Sequence, residues 1–521
     1  MMLSRREFLK TSVLTAGTFS LAGCLLAKND TGSNSGSKTL PNIVIIYADD
    51  MGYGDLGCQN PNSKIPTPNL DQLAKEGVRF TDGHSSSGIC TPSRYALLTG
   101  RYHWRDFYDI VNAFGESRFD SQRLTMPEML KAKGYRTACI GKWHLGWDWG
   151  AIKRPGAKPD KNKGYSPDAF DWSKPVPDGP VAHGFDYYFG DDVINFPPYC
   201  WIENDRVIKA PTESLALEKR KTREGSWECR SGPAVKDWDP YKVLPTLTNK
   251  TVQWVEQQEK HQPFFLYFTM SSPHAPIVPN KEFQGKTKAG GYGDFVFQTD
   301  WVTGQVLKAL DKKGFRDNTI VVFASDNGPE RYAFERVRKY AHRSMGNLRG
   351  LKRDIWEGGH RIPFVVRWPG VIKPGRISNA LVSQVDLMAT FASVLGCQLP
   401  DNAAEDSFNL LPVWTDNSDK TTARSSHIHN TFANQFAIRR DNWVLIDADT
   451  GSMTPMPQWF IEANNYDIDM PDGSLYNLQE DVGQRTNRIN EFPEKAAELR
   501  KLLKGIRDKG HSAPRLENKR R

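Results

Sequence analysis

Two short acidic segments carry side chains that could bind a hard metal ion. Asp49 and Asp50 are adjacent in Ala-Asp-Asp-Met-Gly-Tyr-Gly-Asp, and Asp326 precedes Asn327 in Ser-Asp-Asn-Gly. Adjacent carboxylates repel each other unless a cation neutralises them. Carboxylate and amide oxygens suit Ca²⁺ or Mg²⁺ better than zinc. Taken singly, each segment could also be a solvated turn or a tight β-turn.

Three further segments place cationic or titratable groups beside apolar runs. Lys142 and His144 lie two residues apart in Gly-Lys-Trp-His-Leu-Gly, so in an extended chain they point to the same side. His274 lies in Pro-His-Ala-Pro, and Lys352 lies in Gly-Leu-Lys. The alternatives are surface lysines, a core histidine and a turn histidine. In combination, these groups could bind an anion and transfer protons.

Cys90 lies in the segment with the most specific pattern, Cys-Thr-Pro-Ser-Arg, which ends at Arg94. Pro92 suits the first turn of a helix, where a missing N–H costs nothing. Residue 90 would then lie at a helix N-terminus, whose unpaired N–H groups and dipole favour an anion. The alternative is a buried cysteine before an ordinary helix.

The elements around these segments alternate between strands and helices, which predicts an α/β fold with a mostly parallel sheet. The segments with Asp49, Lys142, His274 and Asp326 each follow a predicted strand, whereas the segments with Cys90 and with Lys352 do not. Ligands of open α/β sheets bind outside the carboxyl ends of the strands. We therefore expect the groups to converge. The predicted strands are Asn42–Tyr47, Thr137–Ile140, Phe264–Met270, Thr319–Ala324 and Phe364–Arg367; the predicted helices are Asn69–Lys75, Leu124–Lys133, Leu247–Gln258, Phe295–Lys312 and Gln384–Leu395.

The segment from Cys90 through Arg94, continued by Tyr-Ala-Leu-Leu-Thr-Gly-Arg, resembles the Cys-x-Pro-x-Arg signature of type I sulfatases, which belong to the alkaline phosphatase superfamily. The other segments match further signatures of that family in order, from Asn42 to about Pro369. The resemblance implies that Cys90 is oxidised to formylglycine (3-oxoalanine) by a formylglycine-generating enzyme. It also implies a divalent metal, Ca²⁺ by preference and Mg²⁺ as the alternative. The implied metal ligands are Asp49, Asp50, Asp326, Asn327 and residue 90.

The same resemblance implies a mechanism in which formylglycine hydrates and one hydroxyl attacks sulfur. Arg94 and Lys142 favour the ionised hydroxyl, while Lys142, His274 and Lys352 bind the sulfuryl oxygens. His274 is the candidate acid for the departing alcohol. His144 then removes the proton of the second hydroxyl, so that sulfate leaves as the aldehyde re-forms.

The predicted architecture is a large N-terminal domain, residues 40–400, whose sheet is sandwiched by helices. A smaller C-terminal α/β domain with a short antiparallel sheet follows at residues 401–521, with strands near Gln435–Arg439 and Trp443–Asp447 and a terminal helix near Glu494–Ile506. Residues 150–180 and 203–240 are predicted surface insertions. A further sulfate-pocket residue of the family is expected between 150 and 200, without an assignment.

Residues 1–24 resemble an export signal and lie before a predicted flexible tether at 25–39. Ser-Arg-Arg-Glu-Phe-Leu-Lys is similar to a twin-arginine signal, and Leu-Ala-Gly-Cys resembles a lipobox ending at Cys24. Lipidation of Cys24 predicts an exported protein, in the periplasm or at the cell surface of a bacterium, held to a membrane by the anchor only. Cys200 and Cys229 could form a disulfide bond.

The formal net charge of +8 for 521 residues mildly favours an anionic partner. Because no dense basic arm occurs, a nucleic-acid partner is not expected. The expected substrate is a sulfated carbohydrate or an aryl sulfate. Two alternatives stay open: a phosphonate or phosphate ester hydrolase of the same superfamily, and a lipoprotein that binds sulfated glycans without turnover.

Overall fold

A computed structural model describes residues 40–161, 163–215, 224, 228–416, 421–432, 435–467 and 471–514. The predicted signal, the tether and Cys24 lie outside these residues. Within them, no helix combines the length and apolar character that crossing a membrane would require.

The described residues form both strands and helices, and α-helices separate most of the strands of the central sheet. In chain order, the strands are β1 (Asn42–Ala48), β2 (Val78–Phe80), β3 (Gly83–His84), β4 (Arg136–Lys142), β5 (Tyr187–Asp192), β6 (Ile202–Glu203), β7 (Arg206–Val207), β8 (Glu213–Leu215), β9 (Gly232–Ala234), β10 (Phe264–Thr269), β11 (Thr319–Ser325), β12 (Phe364–Arg367), β13 (Arg376–Ser378), β14 (Val382–Ser383), β15 (Ser426–Asn430), β16 (Phe436–Arg440), β17 (Trp443–Asp447) and β18 (Ser474–Asn477). The α-helices are α1 (Pro68–Lys75), α2 (Cys90–Thr99), α3 (Met126–Lys131), α4 (Val243–Glu256), α5 (Gly290–Lys312), α6 (Ala333–Tyr340), α7 (Glu357–His360), α8 (Leu387–Val394), α9 (Leu411–Thr415), α10 (Gln458–Asn464) and α11 (Pro493–Lys509).

The large sheet has ten strands in the order β13-β2-β12-β11-β1-β10-β4-β5-β6-β7. Its central strands β11, β1, β10, β4 and β5 are parallel, whereas β12 runs antiparallel to β11. The five predicted strands are confirmed. They could be predicted because strands covered on both faces have nearly continuous apolar sequences. The predicted mostly parallel sheet is confirmed as well.

Helices cover both faces of this sheet, as predicted. On β1 the side chains of Ile43 and Ile45 join a core with residues of α2, α3 and α8. The alternate side chains Val44 and Ile46 join a second core with residues of α1, α4 and α5. This division follows from the two-residue period of a strand, which sends successive side chains to opposite faces.

A separate antiparallel sheet, β15-β16-β17-β18, lies near the C-terminus and packs against α11. Ala96 of α2 belongs to the same core as Ile438 and Leu445 of this small sheet. Helix α2, which begins at Cys90, therefore lies between the two sheets.

The predicted insertions are not confined to the surface. Phe170 is only 2% exposed and stacks on Phe114, with ring centroids 4.6 Å apart. Trp149 packs edge-on against the same phenylalanine ring, Phe114. Aromatic residues thus turn part of the segment 150–180 into core, against the expectation from its Pro, Gly and Lys content. Cys200 and Cys229 are not joined by a disulfide bond.

Candidate active site

The carboxylates meet at the carboxyl edge of the two central strands. Asp49 and Asp50 follow β1, Asp326 and Asn327 follow β11, and the two strands are parallel neighbours. The backbone N–H of Asp50 donates to Asp326 Oδ1 at 3.1 Å, and Asn327 Nδ2 donates to Asp50 Oδ1 at 2.7 Å. All four side chains are essentially inaccessible to solvent, so the parallel pairing alone brings the two acidic segments together.

This group of side chains has the chemistry of a binding site for a hard divalent cation. Asp49 Oδ1 and Asn327 Oδ1 are buried and have no hydrogen-bond partner among the described residues. Asp49, Asp50 and His274 each offer a ligand atom within 4.8 Å of the others. Buried acceptors without partners are costly, and three carboxylates with an amide oxygen suit Ca²⁺ or Mg²⁺. The residues present therefore fit the predicted ion.

Cys90 begins helix α2, as the position of Pro92 predicts, and is buried. Burial alone would raise the pKa of the Cys90 thiol, but the ammonium groups of Lys142 and Lys352 outweigh burial and lower that pKa below its ordinary value. The thiolate is the reactive form of cysteine, so the surroundings of residue 90 stabilise negative charge.

Arg94 lies one helical turn after Cys90 and is completely buried. Its Nη2 donates to Asp326 Oδ2 at 2.9 Å, and its Nη1 donates to the carbonyl oxygen of Lys142 at 3.2 Å. A buried guanidinium without its carboxylate would be strongly destabilising. Arg94 thereby connects helix α2 to the ends of β11 and β4.

Two lysines bind the two adjacent carboxylates separately. Lys142 Nζ lies 2.7 Å from Asp49 Oδ2, and Lys352 Nζ lies 2.7 Å from Asp50 Oδ1. Burial by itself would lower the pKa of Lys352, but the carboxylate of Asp50 outweighs burial and raises that pKa. Both lysine side chains therefore lie against a carboxylate and are directed at the same small volume as the thiol.

The two predicted histidines differ in their partners. His274 Nε2 lies 3.6 Å from Asp50 Oδ2, and its Nδ1 lies 2.5 Å from the carbonyl oxygen of Ala275. His144 Nε2 lies 2.9 Å from the carbonyl oxygen of Val111, while its Nδ1 is buried without a hydrogen-bond partner in the described part of the chain. Because a carbonyl only accepts, Nε2 of His144 carries the proton and Nδ1 keeps its lone pair.

Burial, followed by the charge of Lys142, holds the pKa of His144 well below its usual range. The imidazole is therefore neutral, with its lone pair available on Nδ1. Thr91 donates its hydroxyl to the backbone carbonyl of His144 at 2.8 Å, which ties the histidine to the residue after Cys90. This arrangement suits a general base beside residue 90.

A cleft of about 430 Å³ opens onto this group and is lined by Cys90, His144, His274 and Lys352. All the predicted site residues except Cys24 are thus brought together or lie directly behind this cleft. Sequence reasoning missed several lining residues, which come from loops without a recognisable pattern: Asn195, Phe196, Glu228, Arg230, Glu330, Arg331, Arg353 and Phe432. Asn195 lies within the segment 150–200 in which a further pocket residue was expected.

Comparison with known proteins identifies the family. Residues 41–397 match the family described as Sulfatase, and residues 351–449 match the C-terminal region of N-sulphoglucosamine sulphohydrolase. The chain therefore belongs to the sulfatase family, as a type I sulfatase of the alkaline phosphatase superfamily, and is a sulfuric ester hydrolase.

Individual relatives are similar over most of the chain. An N-acetylgalactosamine-6-O-sulfatase of Bacteroides thetaiotaomicron is 33% identical over 95% of this chain and 98% of that protein. Human N-acetylgalactosamine-6-sulfatase is 32% identical over 73% of this chain and 66% of that protein. A solved sulfatase structure from work on glycosaminoglycan metabolism by Bacteroides thetaiotaomicron matches with a TM-score of 0.74 and 31% identity, covering 90% of this chain and 100% of that chain.

Proposed function

We propose that this sulfatase removes sulfate from a sulfated carbohydrate, specifically the 6-O-sulfate of an N-acetylgalactosamine unit, through a formylglycine made from Cys90. The observation that supports the substrate is the similarity to an N-acetylgalactosamine-6-O-sulfatase over nearly the full length of both chains. The family and the geometry around residue 90 support the formylglycine. Of the two alternatives, neither the phosphonate hydrolase nor the binding lipoprotein has comparable support.

Each side chain of the site has a role that its contacts support. The hydrate of formylglycine would supply the nucleophilic oxygen. Asp49, Asp50, Asp326, Asn327 and residue 90 would hold a Ca²⁺ ion, which would supply Lewis acidity. Lys142 and Lys352, both buried, bind the sulfuryl oxygens together with His274. His274 also lies in the cleft, where it can donate a proton to the departing alcohol.

His144 completes the reaction because its Nδ1 is buried, unpartnered among the described residues, and carries a lone pair. It accepts the proton of the second hydroxyl at residue 90. Expulsion of sulfate then re-forms the aldehyde without a second attack on sulfur. The low pKa of His144 keeps the imidazole neutral and therefore able to act as this base.

The outer cleft offers contacts suited to a sugar ring. Phe196 and Phe432 provide apolar faces, and Asn195 provides an amide. The guanidinium of Arg230 lies 3.9 Å from the centre of the Phe196 ring and donates to Asn112 Oδ1 at 2.9 Å. Arg230 is therefore held at the mouth of the cleft, beyond the reacting groups.

This placement predicts a substrate-dependent effect of Arg230→Ala. On N-acetylgalactosamine 6-sulfate we expect kcat/KM to fall by about 10-fold, mainly through KM, because a contact to the sugar is lost. On an aryl sulfate, which lacks the sugar, kcat/KM should be unchanged. The measurement is initial-rate kinetics on both substrates, with Arg206→Ala on exposed strand β7 as the matched control.

The same assay on a panel of sulfated sugars tests the regiochemistry. Wild-type enzyme should prefer N-acetylgalactosamine 6-sulfate over the 4-sulfate and over glucosamine 6-sulfate. Equal rates across the panel, or faster turnover of an aryl phosphonate than of an aryl sulfate, would contradict the proposed substrate.

We also propose that the protein is exported and anchored by a lipid on Cys24, since the twin-arginine and lipobox patterns occur in the expected order. Cys24→Ala should move the full-length protein from the membrane fraction to the soluble exported fraction. The measurement is immunoblotting of cell fractions. Recovery of wild type and variant in the same fraction would contradict the anchor.

A further inference from the structure

A second group of buried histidines lies away from the catalytic residues. His84 on β3, His360 at the end of α7, and His427 and His429 on β15 pack together beside Glu357, and we call these five residues the histidine cluster. All five side chains are essentially inaccessible to solvent. Imidazoles are rarely buried in such number, and the mechanism above uses none of them.

The rings are close enough to share one ligand. His84, His360, His429 and Glu357 each offer one ligand atom within 4.8 Å of the others. The rings of His360 and His429 are stacked with centroids 3.4 Å apart. His84 Nδ1 lies 3.1 Å from His360 Nδ1. Two nitrogens bound to the same tetrahedral zinc ion would be about 3.3 Å apart.

The hydrogen bonds made by the Nε2 atoms of His84 and His360 determine whether their Nδ1 atoms carry protons. His84 Nε2 lies 2.8 Å from Asp82 Oδ1, and His360 Nε2 lies 3.2 Å from the carbonyl oxygen of Ile355. Both partners are acceptors, so both Nε2 atoms are donors. In neutral rings the two Nδ1 atoms therefore face each other as lone pairs, which is repulsive unless a cation lies at this point.

The remaining members of the cluster also have polar atoms without a partner in the described part of the chain, although Glu357 Oε2 accepts from Arg361 Nη1 at 3.1 Å. Both ring nitrogens of His427 and of His429, and Glu357 Oε1, are buried without a hydrogen bond among the described residues. Buried polar atoms without partners are costly, and neutral imidazoles are good ligands for zinc.

We propose that the histidine cluster is a structural zinc site with His84 Nδ1, His360 Nδ1, His429 and Glu357 as its four ligands. Four protein ligands close the coordination sphere, as in structural rather than catalytic zinc sites. Asp82 accepts from His84 and so orients that ligand in the way typical of carboxylate–histidine–zinc groups. His427, whose ring centroid is 4.1 Å from that of His429, covers one side of the site.

The position of the site defines its effect on the fold. His84 lies six residues before Cys90, and His429 lies on the first strand of the small sheet. The backbone N–H of Ser85 donates to the carbonyl of His360 at 2.8 Å, so these ligand-bearing segments are already in contact. A zinc ion would join the segment that leads to residue 90 to α7 and to the small sheet, and would stabilise all three against local unfolding.

The first test uses wild-type protein without a histidine tag. Elemental analysis should find about one zinc ion per chain, because structural zinc sites bind tightly. Protein stripped of zinc should unfold at a lower temperature and recover on addition of Zn²⁺. Cobalt substitution should give the visible absorption of tetrahedral Co²⁺. The proposal is overturned if less than about a tenth of an equivalent of any transition metal binds and no cobalt spectrum appears.

A matched pair of variants locates the ion. His84→Gln should lose the zinc and its stabilisation, whereas His103→Gln should keep both. His103 is the matched control because it is also buried and its Nε2 lies 3.1 Å from Asn430 Oδ1, beside the cluster. Zinc in both variants, or in neither, would contradict the assignment. If His84→Gln does not fold, the cobalt spectrum of the wild type still decides.

The alternative explanation of the short contact is a proton rather than a metal ion. His84 would then be an imidazolium that donates to His360 Nδ1, with Asp82 as its counterion. That outcome predicts no bound transition metal, and metal analysis distinguishes the two. The result does not depend on the proposed substrate, since an Asp50→Asn variant with strongly reduced sulfatase activity should retain its zinc.

Discussion

Cys90→Ser should lower steady-state sulfatase activity by about 10⁴-fold or more, because it removes the residue from which the nucleophile is made. Serine has one hydroxyl where hydrated formylglycine has two. A serine sulfate ester at position 90 leaves His144 no second hydroxyl to deprotonate, so the ester stays on the enzyme. We expect at most one turnover, visible as a burst followed by no further product in single-turnover and steady-state assays.

The control for thiol loss is Cys58→Ser, since Cys58 lies outside the cleft and donates its backbone N–H to Asp71. It should retain wild-type turnover. Mass spectrometry of the tryptic peptide Phe80–Arg94 should show a formylglycine residue in active wild-type enzyme and serine in the Cys90 variant. Sustained turnover by Cys90→Ser, or an active wild type whose peptide holds only unmodified cysteine, would contradict the mechanism.

Asp50→Asn should reduce kcat/KM by about 10³-fold, at the upper end of the cost of removing one electrostatic group from an active site. Asp50 accepts from Asn327 at 2.7 Å and from Lys352 at 2.9 Å. An asparagine amide would direct N–H groups at donors and lose the negative charge that binds the lysine and would bind the cation. Asp50 has a φ of 62°, which asparagine tolerates well, so the backbone should keep its conformation.

The measurements are initial rates on an aryl sulfate and the shift in unfolding temperature on addition of Ca²⁺. We expect chelation to inactivate the wild type, Ca²⁺ to restore it, and the variant to respond to neither. Asp294→Asn is the matched control, because Asp294 is equally buried but accepts from the backbone of residues 285–287. A variant with full activity and an unchanged Ca²⁺ response would exclude Asp50 as a ligand.

The strands and most helices were predictable because each central strand is a short apolar run with polar groups directly after it. Asp49 after β1 and Asp326 after β11 could be assigned to one edge of the sheet, since parallel strands share their carboxyl edge. The helix that begins at Cys90 was predictable from Pro92. The roles of these residues were not derivable from pattern alone and came from a resemblance to the family.

The outer cleft and the histidine cluster could not be predicted in the same way. Asn195, Arg230 and Phe432 lie on segments with no periodicity, and only the folded chain brings them to one cleft. His84 and His429 are separated by more than 300 residues and belong to different sheets. Their meeting depends on how the small sheet packs against the large domain, which no local spacing encodes.

The amino-acid sequence by itself determined the reaction class, because Cys90, Arg94 and the candidate oxygen ligands lie in short motifs that resemble those of the family. Tertiary structure alone decided the protonation states and partners of these groups. His144 is neutral with a lone pair on Nδ1 because burial and the carbonyl of Val111 make it so. The physical reason for the division is that local sequence determines which atoms are present, whereas burial and long-range contacts determine which of them carry protons and charge.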